Sequence, residues 1–199
     1  METLRDELGY TVTEKIIDGG LLVPQHRERI YFVGTLSKIP FTFPEIKKVE
    51  ITLNDILEPL NKKMDSQYTL SDNLWASIQR HAARHKLLGN GFGFGLNQRN
   101  GRARTLSARY YKDGSEILIA QKNSNPRRLM PRECARLMGF PEDFQITLSD
   151  TRSYKCFGNS VVVPVVEKLA NAMIKSEIFT KKNIQKIDIY QSEQSQLMS

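Results

Sequence analysis

Pro24-Gln25-His26-Arg27-Glu28-Arg29 runs directly into Ile30-Tyr31-Phe32-Val33-Gly34, and this junction decides the fold. The second part is a short apolar run bounded by charge and glycine, the pattern of a buried strand. The first part carries arginines at alternate positions. On an extended backbone residues i and i+2 share a side. Arg27 and Arg29 then offer two guanidinium forks at one site, suited to a phosphate or a carbonyl oxygen. Glu28 stands between them, so an ion-paired surface strand is the competing reading.

Two further segments stand out. Pro131-Arg132-Glu133-Cys134-Ala135-Arg136-Leu137-Met138-Gly139-Phe140-Pro141 reads as a helix start, with Pro at the first helical position and Glu133 favoured near the N-terminus by the dipole. Phe157-Gly158-Asn159-Ser160-Val161-Val162-Val163-Pro164 reads as a turn opening a second helix. Gly158 supplies the turn, Asn159 or Ser160 the cap, and Pro164 falls in the first turn. Val161, Val165, Leu169 and Met173 repeat along one face to about Ile174.

Charge is uneven. Of the net +7, residues 80–128 hold eleven Lys or Arg against Asp113 and Glu116 alone, and the rest of the chain is slightly acidic. Such a local excess predicts a polyanion partner, because each phosphate neutralised releases counterions. The two cysteines, Cys134 and Cys156, have no CxxC spacing, which predicts a reducing compartment and no disulfide framework. No signal peptide or run of about 18 apolar residues is present, so a cytoplasmic, non-membrane protein is expected.

The remaining pattern predicts a helical end over 1–9 and a strand over 10–17. A short helix over 52–60 should be capped by Thr52, with Asp55 in its first turn. A longer helix over 71–86 should be capped by Ser71, with Leu74, Trp75 and Ile78 on one face. Residues 89–102 read as loop. Arg104–Tyr111 and Ile117–Ala120 read as strands joined at Lys112-Asp113-Gly114. Gly91-Phe92-Gly93-Phe94-Gly95 follows no strand and opens no helix, which excludes a dinucleotide loop. Among arginines, it suits close approach to a DNA backbone. His81 and His85 have no third ligand partner, and no metal is expected. After Lys175 the chain is polar and reads as a tail.

Taken together and in this order, the three segments resemble the C-terminal motifs of the DNA (cytosine-5) methyltransferase family, over residues 1 to about 176. The resemblance implies an α/β fold. It is the C-terminal portion of a Rossmann-like S-adenosylmethionine-dependent methyltransferase, with a small mixed α+β target recognition domain. It places the distal part of the catalytic domain at 1–40 and the recognition domain at 41–150. A returning helix follows at 151–176 and a polar tail at 177–199. The family's Pro-Cys nucleophile loop, Glu-Asn-Val segment and cofactor glycine loop are not in this sequence. The chain is therefore expected to be inactive alone and to need an N-terminal catalytic subunit.

The resemblance also assigns roles. In the family a cysteine thiolate adds to C6 of an extruded cytosine, and C5 then takes the methyl group. Arg29 matches the arginine that touches that base, and Arg27 and Gln25 match residues supporting the nucleophile loop or the neighbouring phosphate. Asn159, Ser160 and Val161 match positions beside S-adenosylmethionine. Arg104-Thr105-Leu106 and Arg109-Tyr110 fall in the target recognition region. There Arg104 and Arg109 are candidates for guanine contacts, while Tyr110 and Tyr111 are alternatively core. Gly91, Gly93, Lys86, Arg99 and Arg102 complete the expected DNA-binding set.

Residues 89–119 and Lys15-Ile16-Ile17-Asp18-Gly19 are similar to bacterial methylases acting on CC(A/T)GG. Two departures are visible. Met130 stands where the family has a capping Thr, and Cys156 where it usually has Gln. Cys134, inside an apolar helical turn, is expected to be an inert thiol. Arg132 and Glu133 are expected to tie the small domain together. The sequence therefore predicts a methyltransferase part that binds double-stranded DNA, the alternative being a non-catalytic DNA-binding module or a degenerate remnant.

Overall fold

The computed structural model describes residues 2–36, 38–59, 67–91, 93–176 and 178. The expected tail at 177–199 lies, apart from Ile178, outside the described residues. The chain divides into two compact units. One holds Met1–Ile17, Glu28–Lys47 and the chain from Val165 on; the other holds Asp18–Arg27 and Lys48–Pro164. Asp18–Arg27 thus leaves the strands that flank it and folds with the region expected to recognise DNA.

The first unit is built on a two-stranded sheet of β1 (Thr11–Asp18) and β2 (Glu28–Thr35). A helical turn at Thr3–Glu7 precedes it. Both strands fall where the apolar runs predict them. The expectation that Ile30–Gly34 is buried is corrected. Val33 and Thr35 are buried, but Ile30 and Phe32 are about half exposed, and Ile16 on β1 is 65% exposed. Side chains alternate across a strand, so Ile30 and Phe32 share the face of β2 that the described residues leave uncovered. Most of α4 (Val163–Lys175) also belongs to this unit, with Val165 and Leu169 buried.

The second unit has a three-stranded sheet ordered β3 (Leu96–Asn97), β4 (Leu118–Gln121), β5 (Ser124–Arg128). β3 runs parallel to β4, and β4 antiparallel to β5. The hairpin turn is Lys122-Asn123, with Asn123 at φ 60°, not the expected Lys112-Asp113-Gly114. Asn tolerates the left-handed region that a two-residue turn needs. Arg104–Tyr111 is not a strand either: residues 108–111 turn, and Tyr110 points into the core. α1 (Asp72–Leu87) is capped as predicted by Ser71, whose Oγ accepts from the Leu74 N–H at 3.3 Å. Ile78 packs with Leu70 and Leu118, and Trp75 and Phe94 close over them edge to face at 4.9 Å.

A buried polar knot joins α2 (Pro131–Leu137) to β5. Arg127 donates from both terminal nitrogens to the two oxygens of Glu133, at 2.8 Å each. Glu133 also accepts from the Met130 N–H at 2.8 Å and the Glu58 N–H at 2.9 Å. The first of these is the half of a capping box in which the acid three residues on accepts the N–H of the cap residue; Met130 makes no side-chain cap bond in return. Tyr110 and Tyr154 divide the backbone of the buried Leu129 between them. The Tyr110 hydroxyl accepts its N–H and the Tyr154 hydroxyl donates to its carbonyl, at 2.7 Å each. Burial pushes both phenols well above their ordinary range.

Removing one member of a buried, hydrogen-bonded ion pair strands the other. Glu133→Gln should therefore cost about 3–5 kcal/mol in urea denaturation. A loss under about 0.5 kcal/mol, typical of a surface substitution, would contradict this account of the knot.

Candidate nucleic-acid interface

Three segments far apart in sequence meet in the second unit. Gln25 pairs with Ala103 as an isolated parallel bridge. The His26 N–H reaches the Ala103 carbonyl at 3.0 Å, and the Ala103 N–H reaches the Pro24 carbonyl at 2.8 Å. Side chains extend this pairing. The Gln25 carboxamide accepts the Leu106 N–H at 3.1 Å and donates to the Leu137 carbonyl at 2.8 Å. The Arg27 guanidinium donates to the Leu106 carbonyl at 2.7 Å, to Gly158 at 3.0 Å and to Ser160 at 2.7 Å. The Thr105 hydroxyl donates to the His26 carbonyl at 2.6 Å. Gln25 and Leu106 are wholly buried and Arg27 nearly so.

Asp18 prepares this arrangement. One carboxylate oxygen accepts the N–H groups of Gly20 and Arg27 at 2.8 Å each, and the other pairs with His26 at 2.8 Å. Burial raises its pKa, but the two N–H groups and His26 outweigh burial and hold it below the ordinary carboxylate range. The loop Asp18–Arg27 is thereby braced where it meets residues 103–106. The sequence did not single out Asp18 as a brace. The signal available was an acid two residues before a glycine, the pattern of a local side-chain turn.

Phe157-Gly158-Asn159 does not open a helix, as expected, but closes one: α3 (Asp150–Asn159), with Ser160 as its C-cap. α3 went unseen because its buried face, Ser153, Tyr154, Phe157 and Gly158, is narrow and partly polar. Gly158 is required for close approach, not for a turn. A Cβ there would lie 2.1 Å from the Ser107 carbonyl oxygen.

The chain matches the family model of C-5 cytosine-specific DNA methylases over residues 1–175. The chain belongs to this family. It is 51% identical over 180 residues to Type II methyltransferase M.SsoII of Shigella sonnei, covering 86% of this chain and 46% of that relative. It is 44% identical over 194 residues to M.DsaV of Dactylococcopsis salina, covering 94% and 54%. It is 42% identical over 221 residues to the DNA-cytosine methyltransferase of Escherichia coli K12, covering 89% and 46%. The chain thus spans about half the length of these relatives. Among solved structures, the S. pombe Dnmt2 methyltransferase aligns at TM-score 0.66 and 19% identity, over 86% of this chain and 59% of that one. Entamoeba histolytica EhMeth aligns at 0.64 and 20%, over 84% and 54%. These two establish the methyltransferase fold.

Within this chain the expected site residues separate into two groups. Gln25, Arg27, Leu106 and Tyr110 are buried and face protein. Leu106 and Tyr110 were expected to touch DNA; their side chains are core, because the turn at 108–111 sends Tyr110 inward to donate to the Ile117 carbonyl at 2.7 Å. Arg102 is exposed, yet its guanidinium donates to the carbonyls of Gly20 and Val23. Arg99 bonds the Asn54 side chain at 3.2 Å and the Glu58 carbonyl. Arg27 and Arg29 are not the twin forks that alternation predicts. Arg27 is consumed by carbonyls, whereas Arg29 is exposed and gives one N–H to the Glu28 carbonyl at 2.6 Å.

The second group is accessible: Lys86, Gly91, Arg104, Arg109, Asn159 and Val161 are exposed, and Gly93, Thr105 and Ser160 partly so. Cys134 is fully buried, and burial followed by the nearby Glu133 charge raises its thiol pKa. Such a thiol is a poor nucleophile. Cys156 is exposed. Among the described residues no group of three or more His, Cys, Asp or Glu could hold a metal ion, and no helix is long and apolar enough to cross a membrane.

Gly158→Ala should cost about 1–3 kcal/mol through overpacking against Ser107. Limited proteolysis should then cut residues 103–108 faster than in the parent chain. Unchanged stability and an unchanged cleavage pattern would show that the close approach is not a constraint.

Proposed function

We propose that this chain supplies DNA recognition and one side of the active site of a bacterial DNA (cytosine-5) methyltransferase. The complete enzyme moves a methyl group from S-adenosylmethionine to cytosine C5. The observation that carries this reading is the junction of Gln25 and Arg27 with Leu106 and Gly158–Ser160. It brings three family motifs together and leaves Arg104, Thr105 and Arg109 beside it for the duplex. Coverage of about half of each relative supports a partner portion that carries the nucleophile. The exposed Ile16, Ile30 and Phe32 support an apolar surface for that partner to cover. The similarity of residues 89–119 and 15–19 to CC(A/T)GG methylases supports that target.

The cofactor assignment has a physical test in the chain itself. The Ser160 carbonyl is held by Arg27, which fixes the backbone, while the Asn159 and Val161 side chains stay exposed. A polar amide and an isopropyl group on a fixed backbone fit one edge of a site for S-adenosylmethionine, which supplies the electrophilic methyl group. Arg29 is exposed and gives one N–H to the Glu28 carbonyl, which supports the reading that its other donors hold an extruded cytosine by hydrogen bonds. Gln25 and Arg27 act as positioning residues and leave the chemistry to other groups.

Methyl transfer from labelled S-adenosylmethionine to a CC(A/T)GG duplex should require this chain together with the portion of M.SsoII that it does not span. Turnover by this chain alone would contradict the reading. Specific duplex binding without any complementation of activity would favour a non-catalytic DNA-binding module. Expressed by itself, the chain should aggregate more readily than the mixture in light scattering.

Arg109→Glu should relax sequence choice, by about 1–3 kcal/mol for each base that the arginine reads. Competition with duplexes altered at single positions would measure this. Equal weakening on every sequence would remove Arg109 from the readers.

A further inference from the structure

Gly91 and Gly93 are glycines that the protein's own fold does not explain. Neither has a positive φ, and a Cβ at either position would meet nothing within 4 Å. Glycine is retained for a turn or for close approach, and here the described protein approaches neither. Both line a groove of about 540 Å³, together with Ala82, Ala83 and Lys86 of α1 and Arg104. Two cations, Lys86 and Arg104, stand in its lining beside the amides of Gln79 and Asn90. No carboxylate lines it among the described residues. Phe94 also lines it, braced by the edge-to-face contact with Trp75.

From this we infer that the groove holds the sugar–phosphate backbone of the bound duplex, with Lys86 and Arg104 contacting phosphate. Gly91 and Gly93 give the backbone its close approach. The inference rests on the DNA-methylase reading and deepens it. It assigns Arg104 to holding the strand and leaves Arg109 as the candidate reader. Such contacts fix register and orientation and carry no sequence information themselves.

The test uses the full chain and a CC(A/T)GG duplex. Gly91→Val and Gly93→Val should leave the thermal melt unchanged, since their space is open. They should nevertheless weaken duplex binding by about tenfold or more, because the added side chains hold the strand away from the groove floor. Lys86→Gln and Arg104→Gln should each weaken all sequences alike and flatten the log K against log salt slope by about 1. A neutral methylphosphonate linkage, scanned along each strand, should at one position weaken the parent but not the Lys86→Gln variant.

Glycine variants that bind like the parent would overturn the inference, as would an unchanged salt slope. So would an Arg104→Gln variant that alters sequence choice. Inorganic phosphate that displaces the duplex with the affinity expected of a dedicated small-anion site would overturn it too. If the parent binds no duplex, both this inference and the functional reading fall. If the parent binds and only the groove variants behave like it, the inference falls alone.

Discussion

Both hydrogen-bonding groups of the Leu106 backbone are taken by side chains from about 80 residues earlier in the chain. Gln25 takes the N–H and Arg27 the carbonyl. Buried backbone groups outside a sheet need partners, and an unmade bond costs about 1–3 kcal/mol. A buried guanidinium has the same need on a larger scale. Each solves the other's problem here. Arg27 finds three carbonyls fixed in space, and the segment through Leu106 finds an anchor without belonging to a regular sheet.

That anchoring explains how a short irregular stretch can carry function. Loops position functional groups well when a rigid scaffold holds their ends. Leu106 is sealed inside, so Arg104 and Thr105 on one side and Arg109 on the other are displayed at set positions. Arg27 reaches Ser160 with the same guanidinium, so the segment proposed to meet the cofactor is referenced to the segment proposed to meet DNA. The close packing of Gly158 on Ser107 enforces the same registration sterically. A displacement of one segment therefore disturbs the others.

Much of this architecture was legible from residues. The apolar runs located β1 and β2, and Ser71 located the start of α1, whereas Thr52 begins only the three-residue 3-10 turn Leu53–Asp55 in place of the helix expected over 52–60. The order of the three motifs gave the family. The errors have physical causes. Alternation assigned Arg27 and Arg29 one environment, but spacing along a strand does not say which residue long-range partners will consume. Arg104–Tyr111 reads as one arm of a hairpin through Lys112-Asp113-Gly114, yet residues 108–111 turn, and Leu106 and Tyr110 are each buried by a different contact. Lys112-Asp113-Gly114 carried strong turn residues, and Gly114 does adopt φ +64°; the hairpin instead formed at Lys122-Asn123, where β4 and β5 could pair. α3 lacked an apolar stripe because much of its buried face is a serine and a glycine. Charge counting also could not tell which cations the protein itself engages. Arg127 is buried on Glu133, and Arg99 and Arg102 donate to protein carbonyls, although Arg102 is exposed like Lys86, Arg104 and Arg109.

Amide hydrogen exchange at Leu106 tests the central claim most directly. The clamp predicts that this N–H, though outside any strand, exchanges about as slowly as the core amides of β4. It also predicts that Gln25→Leu, which removes the acceptor, speeds its exchange far more than that of Leu118. Exchange at the rate of an open loop in the parent chain, or an amide indifferent to Gln25, would contradict the account.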